Sequence, residues 1–404
     1  MEKRASVTAR VYYLDWLRVV GMLAVLVYHS SRFFNVEDWH VKNSVWYPWV
    51  EVWNRFAVTW LMPLMFVISG ASLFYALGKG GGVGRFVKDK VLRLLLPLVV
   101  GIFTHASLQV YLERLTHGQF TGSYFRFLPY YFQGVYGVTD GGNFAVHGMH
   151  LWYLLYLFVF SILLYPLLRW LRGRGRMGRL GGGLGLPGAV FGLALPVVLL
   201  EAFADPNNPV MDFGDAGWPA IIYLWLIVAG FLVFSDERTQ AGVRRLRWLS
   251  LALAVASTAI YLVLSFQPRG LTFGTPLWAL ALGLRGLGSW CWVLAALGLG
   301  MQYLTSSTPF LRYANEAVLP FYIFHQTVLL CVGYFVVQWD VPGLLRWAII
   351  LPSSFAIIMA LYEFLVRRFN VMRFLFGMKL QSKAPVAQPQ GATPPSRPGT
   401  LPSA

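Results

Sequence analysis

Ten apolar segments, each long enough to cross a bilayer or nearly so, punctuate this chain at 14–33, 56–77, 91–111, 151–170, 184–202, 218–234, 247–266, 277–303, 317–337 and 344–366. A chain built this way must satisfy its backbone polar groups internally inside lipid, which leaves the α-helix or the closed β-barrel. The runs are continuous, not ten-residue alternations, so the barrel is disfavoured. Only 12% of the 404 residues are charged and 57% are hydrophobic, about half the charge of a soluble domain. The expected fold is an all-α polytopic membrane protein of about ten transmembrane helices. The fifth segment is rich in Gly and Pro, and the eighth is overlong and contains Arg285, so its first part is expected to be a surface or re-entrant piece.

The net charge of +16 invites a nucleic-acid reading, but the bases sit in short connections between spans, as cytoplasmic loops require. Lys79, Arg85, Lys88, Lys90 and Arg93 follow the second segment. Arg169, Arg172, Arg174, Arg176 and Arg179 follow the fourth, and Arg238, Arg244, Arg245 and Arg247 the sixth. The other connections hold few bases and most acids, among them Glu37, Asp38, Glu51, Glu113, Asp140, Glu201 and Asp340. The alternation places both termini in the cytoplasm; the chain is expected in a bacterial inner membrane, with lipid as its surroundings and no nucleic-acid partner. Residues 1–13 read as a cytoplasmic N-terminus, 14–378 as one membrane domain and 379–404 as a disordered Pro-rich cytoplasmic tail. The run Gly173–Gly188 reads as a flexible basic loop. Cys291 and Cys331 lie in apolar segments and imply no disulfide framework.

The first segment carries the ionisable residues Asp15, Arg18 and His29. Eleven residues from Arg18 to His29 make three helical turns to within about 20°, so both leave one face, about 16 Å apart. Asp15 can reach Arg18 on the same stripe. Ionisable groups within a span usually face a bundle interior or a wet cavity. Arg18 belongs near the cytoplasmic end and His29 in the outer half.

Further motifs follow in order: FVISG (Phe66 to Gly70), RFVKDKVLRLLLP (Arg85 to Pro97), HLWYL (His150 to Leu154), FYIFHQ (Phe321 to Gln326) and YEFLVRRF (Tyr362 to Phe369). With Arg18-x10-His29, this set resembles the acyltransferase-3 family of integral membrane O-acyltransferases over about residues 12–378. Within that family it looks nearest the branch that includes periplasmic glucan succinyltransferases. The resemblance implies acyl-coenzyme A as a cytoplasmic co-substrate and no permanently bound cofactor. It also implies an acceptor hydroxyl on an extracytoplasmic glycan or glycolipid. The acyl group is expected to be acetyl, with succinyl as an option; Arg55, Arg114 or Arg126 would then meet the succinyl carboxylate. The residues fit this chemistry. Phosphates need cationic partners, and Lys88, Lys90 and Arg93 stand beside Arg18. A hydroxyl needs a base titrating near neutrality, the role given to His29. The family often has Arg at both ends of an R-x-x-R here; this chain has Lys90 at the first.

Other candidates stay open between two readings. Ser69, with Gly70, either lines an acyl tunnel or packs helices closely. His325 either lines the cavity or makes an interhelix hydrogen bond. Glu363 is expected to pair with Arg367, and Glu316 either caps its helix or serves the donor mouth. His105 is expected at a depth like that of His29, as an acceptor-site residue. His147 and His150 flank the outer mouth; no HExxH or Cys cluster accompanies them, so no metal is expected. Trp152 is read as an interfacial anchor. Two other functions stay in view: a proton- or solute-coupled transporter using Arg18, His29 and His325, and acylation of a diffusible small molecule.

Overall fold

The computed structural model describes residues 11–173, 183–186, 188–208, 211, 214–268 and 270–381. The expectations for the first ten residues, most of the Gly/Arg run and the tail beyond Gln381 fall outside them. Helix α1 spans Tyr12–Ser31, α2 Pro48–Gly78, α3 Val83–Thr116, α4 Tyr124–Tyr131, α5 Met149–Leu171 and α6 Ala189–Phe203. A two-residue hairpin, β1 (Gly214–Asp215) and β2 (Trp218–Pro219), precedes α7 (Ala220–Phe234). Then come α8 (Glu237–Arg245), α9 (Arg247–Ser265), α10 (Pro276–Tyr303), α11 (Pro309–Val336), α12 (Gly343–Val366) and α13 (Asn370–Leu375).

Each of the ten apolar segments coincides with a helix, and the chain is an all-α multi-pass membrane protein. Length and composition alone mark seven of the described helices as spans, namely α2, α3, α5, α9, α10, α11 and α12; α7 with α8, bent by 101°, makes an eighth. The other two fall short for separate reasons. Helix α1 has 20 residues, about 30 Å at 1.5 Å per residue, but Asp15, Arg18 and His29 dilute its apolar character. Helix α6 is short and opens with a 3₁₀ turn, Ala189–Ala194.

Two expectations are corrected. Helix α10 runs unbroken over 28 residues, with no separate surface or re-entrant piece. Its Arg285 is accommodated because Nη1 lies 3.3 Å from the Glu201 carboxylate and the guanidinium sits 4.1 Å over the Trp218 ring. Helix α11 begins at Pro309, well before residue 317. Thr308 caps it, accepting from the Leu311 N–H at 3.0 Å, and proline occupies the first turn, where it suits a helix start. Glu316 is therefore inside the helix and cannot cap it.

The centre of the bundle is set by two glycines. A Cβ at Gly70 would come within 2.1 Å of the Ile227 carbonyl oxygen, and one at Gly230 within 2.2 Å of the Val67 carbonyl oxygen. Helices α2 and α7 thus meet backbone to backbone, as small residues allow in membranes. Beside this contact the Phe66 ring stacks on Tyr223 with centroids 4.2 Å apart and meets Tyr153 edge-on at 5.0 Å. Tyr153 leads from this core into the site.

Candidate active site

Helix α1 borders two cavities placed in series. One, about 220 Å³, is lined by Arg18, Ser69, Ser72 and Lys90. The other, about 280 Å³, is lined by His29, Trp39, His40, His150, Trp152 and Gln326. Met22, Met65, Tyr153 and Tyr322 line both and form the partition. Arg18 and His29 do share a face of α1, and each opens into a different cavity.

Arg18 is held in place. Its Nη1 donates to Asp15 Oδ1 at 2.8 Å and its Nη2 to Ser72 Oγ at 2.7 Å. Ser69, one turn before Ser72, hydrogen-bonds the Tyr153 hydroxyl at 2.8 Å and donates to the Met65 carbonyl at 2.9 Å. The FVISG motif therefore has divided duties: Gly70 packs against α7, and Ser69 lines the cavity and holds the partition. The expected donor cluster separates as well. Lys90 reaches this cavity, with its ammonium 5.3 Å from the Phe86 ring. Arg93 pairs with Asp89 at 2.7 Å on the surface, and Lys88 is exposed; neither lines the cavity. The helix repeat accounts for this. A π-helical turn, Val91–Leu95, shifts the register just after Lys90, and such turns recur at functional sites.

A row of imidazoles runs beside this second cavity: His29 and His150 line it, and His325, packed against both, does not. His29 and His325 have ring centroids 5.1 Å apart, and His325 and His150 4.9 Å apart. His150 Nε2 lies 3.1 Å from the Ile323 carbonyl and 3.2 Å from that of Tyr322, while its Nδ1 lies 3.0 Å from Gln109 Nε2. Carbonyls only accept, so His150 carries its hydrogen on Nε2 and accepts from Gln109. Gln109 also bonds Thr327 at 2.7 Å and Gln326 at 3.1 Å. Trp152 is buried and stacks on Phe66 at 6.1 Å; it is a wall of this cavity, not an interfacial anchor. Among the described residues no group of three or more His, Cys, Asp or Glu side chains is arranged to hold a metal.

The segment between α1 and α2 covers the cavity. Trp39 stands 6.1 Å from His29 between ring centroids and meets Phe33 edge-on at 4.9 Å. Lys42 ties the cover down, donating to the carbonyls of Arg32 at 2.8 Å and Asn35 at 2.6 Å; burial, with Arg32 nearby, pulls its ammonium down to about 8. Above lies a polar vestibule of about 420 Å³ lined by Asp38, His40, Glu113, Arg114, His117 and Tyr136. His40 Nδ1 bonds the Glu113 carboxylate, which also accepts from the Tyr136 hydroxyl at 2.8 Å. His117 Nε2 lies 3.2 Å from Asp38. Burial works against both charges, yet hydrogen bonds to the Glu113 carbonyl and to Asp38 hold His117 above its ordinary value. The bond from His117 in turn keeps Asp38 below its own.

Several sequence candidates lie elsewhere. His105 packs edge-on against Phe324 at 5.2 Å and Phe376 at 6.3 Å and lines neither cavity. A second π-helical turn, Ile102–Ala106, places it on that side. Glu363 accepts from Arg367 at 2.8 Å and from Tyr313 at 3.1 Å, as expected. Glu316 pairs with Arg373 at 2.7 Å; both acids belong to ion pairs outside the cavities. Sequence reasoning missed Ser72, Tyr153, Tyr322 and the His40–Glu113 pair. The tyrosines sit three residues from His150 and His325 in the quoted motifs, a usable signal. His40 and Glu113 are 73 positions apart and give none.

A family model described as an acyltransferase domain matches residues 11–363. Similar curated proteins include the glucans biosynthesis protein C of Salmonella paratyphi B, Salmonella heidelberg and Salmonella enteritidis PT4. Each is 31% identical over 93 residues, 23% of this chain and 24% of the relative. The chain thus aligns with about a quarter of the length of these relatives. No solved structure matches.

Proposed function

The chain belongs to the acyltransferase-3 family of membrane acyltransferases, and from that premise we propose that it carries an acyl group from cytoplasmic acyl-coenzyme A to a hydroxyl of an extracytoplasmic glycan or glycolipid. One observation carries this reading: the Arg18–His29 stripe borders two cavities that share a four-residue partition. The Arg18 cavity, with the Lys90 ammonium, suits the anionic donor. His29 faces the second cavity as general base. The alternation of basic connections supports cytoplasmic termini and a cytoplasmic Arg18 end, and the membrane is read as a bacterial inner membrane.

In the reaction the acceptor O–H gives its proton to His29 as its oxygen attacks the thioester carbonyl. The C–S bond then breaks, and the leaving thiolate takes the proton from His29. A positioned base supplies roughly 10²–10⁴-fold, and holding donor and acceptor against one partition adds orientation. The walls near His29 favour an uncharged acyl group. Among the described residues no lysine or arginine lines that cavity; Arg55 is engaged by Glu51 at 3.1 Å, and Arg114 by Asn143 at 2.8 Å. Acetyl is therefore preferred over succinyl. Family membership favours group transfer over solute transport, and the glucan role in the relatives' name supports a carbohydrate acceptor over a diffusible small molecule.

The test uses inverted native membrane vesicles with radiolabelled acetyl- or succinyl-coenzyme A. The expected result is label on lumenal or lipid-linked carbohydrate with equivalent release of free coenzyme A, acetyl exceeding succinyl. Solute flux without coenzyme A release would replace the reading with transport.

A further inference from the structure

The assignment of His29 as base leaves two neighbouring polar atoms without partners. His29 Nδ1 and His325 Nε2 are both shut away from solvent, and neither has a hydrogen-bond partner. They belong to adjoining rings, with centroids 5.1 Å apart and planes inclined at 65°. An unmet buried donor or acceptor is costly, so two on adjoining rings call for an explanation.

The hydrogen on His325 is fixed by its surroundings. Its Nδ1 lies 2.5 Å from the Tyr322 carbonyl one turn back. A carbonyl accepts only, so Nδ1 bears the hydrogen and Nε2 keeps its lone pair. The ring is fully buried and is backed by His150, whose own Nε2–H is spent on the Tyr322 and Ile323 carbonyls. His325 therefore cannot turn its lone pair elsewhere without surrendering a bond. With the Nδ1 of His325 and both nitrogens of His150 engaged, the row of three imidazoles cannot close around a metal.

We propose that His325 is a positioning residue for His29: its Nε2 accepts a hydrogen bond from His29 Nδ1–H and so directs the His29 Nε2 lone pair at the acceptor hydroxyl. The proposal rests on the reading of His29 as the base. The tautomer of a histidine is set by the bond its other nitrogen makes, and bonds of this kind often tighten only once substrate is bound. The proton path is complete without further groups. The hydroxyl proton passes to His29 Nε2 and then to the departing thiolate, while His325 stays neutral and holds the resulting imidazolium by its Nδ1–H. Tyr322 serves two ends here, since its carbonyl fixes His325 while its ring stands in the partition.

The experiment compares wild type, His29→Gln, His325→Phe and His325→Gln in native vesicles with the acyl-coenzyme A that turns over. Histidine ¹⁵N spectra of the purified, folded proteins accompany the rates. His325→Phe is expected to lower kcat by roughly 10–100-fold, the scale on which partners of functional histidines act, with KM for the donor unchanged. His325→Gln, whose amide oxygen can accept, is expected to recover most of that loss. The spectra are expected to show one His29 tautomer, protonated at Nδ1, in wild type and a mixture in His325→Phe. Equal impairment of the two His325 variants, a loss confined to KM, or an unchanged tautomer would overturn the proposal. An inactive His29→Gln beside a fully active His325→Phe overturns the positioning role alone. A fully active His29→Gln overturns the base assignment, and the proposal with it.

Discussion

Around Arg18 the cavity wall presents a guanidinium, an ammonium and two serine hydroxyls; around His29 it presents imidazoles, indoles and an amide. The first set includes the guanidinium of Arg18, which Asp15 and Ser72 hold in place. Among the described residues the second is lined by no lysine or arginine. The contrast fits the division of labour that the proposed reaction needs along one helix: an anion held at one end, a proton moved at the other.

The sharpest way to break this comparison is to ask which imidazole is the base. His29→Gln is expected to lower kcat by about 10³-fold, within the range for loss of a general base, and to leave the donor KM alone. His40 lines the same cavity and leans on Glu113, so it is the rival. His40→Gln is expected to cost no more than about tenfold. Steady-state rates in vesicles that reversed this order would transfer the role to the His40–Glu113 pair.

A middle-sized effect tests the other end. A hydrogen bond to a charged group contributes about 1.5–3 kcal/mol, so Lys90→Met should raise the donor KM by roughly 10–100-fold with little change in kcat. Lys88→Gln should change neither, since Lys88 is exposed. If Lys88→Gln and Lys90→Met raised KM alike, the donor would be gathered by diffuse charge and not by the cavity.

The smallest expected effect concerns the cover over His29. His117 is held above its ordinary 6.5, so its contribution is fully present below that value and fades as pH rises through the raised one. Asp38 is held below its ordinary 3.8, so its contribution is lost only in stronger acid. Lys42, lowered to about 8, acts oppositely, favouring the closed cover as pH rises from there. Amide hydrogen exchange of residues 36–41, corrected for intrinsic rate, should therefore quicken from pH 6 to pH 8 in wild type. Asp38→Asn should remove most of the difference; a cover equally protected at both values would show that the Asp38–His117 pair does not fasten it.

Much of this was legible beforehand. Apolar run lengths located every long helix, because lipid leaves the backbone no alternative, and an eleven-residue interval was enough to align Arg18 with His29. What failed was local register and partnership. Two π-helical turns in α3 rotate everything after them, so Lys90 and Arg93 part company and His105 faces away from the cavities. Arg285 looked too polar for a span because its partner, Glu201, lies 84 residues earlier. Glu316 looked like a cap because Thr308, the true one, precedes the apolar run. Each miss has one origin: spacing rules hold within a regular helix and say nothing of what stands across from it.

The partition between the cavities mixes two kinds of wall. Tyr153 is anchored by Ser69 and the Met65 carbonyl, and the Tyr322 hydroxyl is tied to the His150 carbonyl, so neither phenol swings without breaking a bond. Met22 and Met65 have no such tether, and an unbranched thioether turns readily about three bonds. In the proposed reaction a slender pantetheine-like arm would need only to turn those two side chains aside, whereas a hydrated ion would have to shed its water against sulfur and aromatic carbon. A partition of this make-up would suit the thioester of the proposed reaction and oppose the passage of ions.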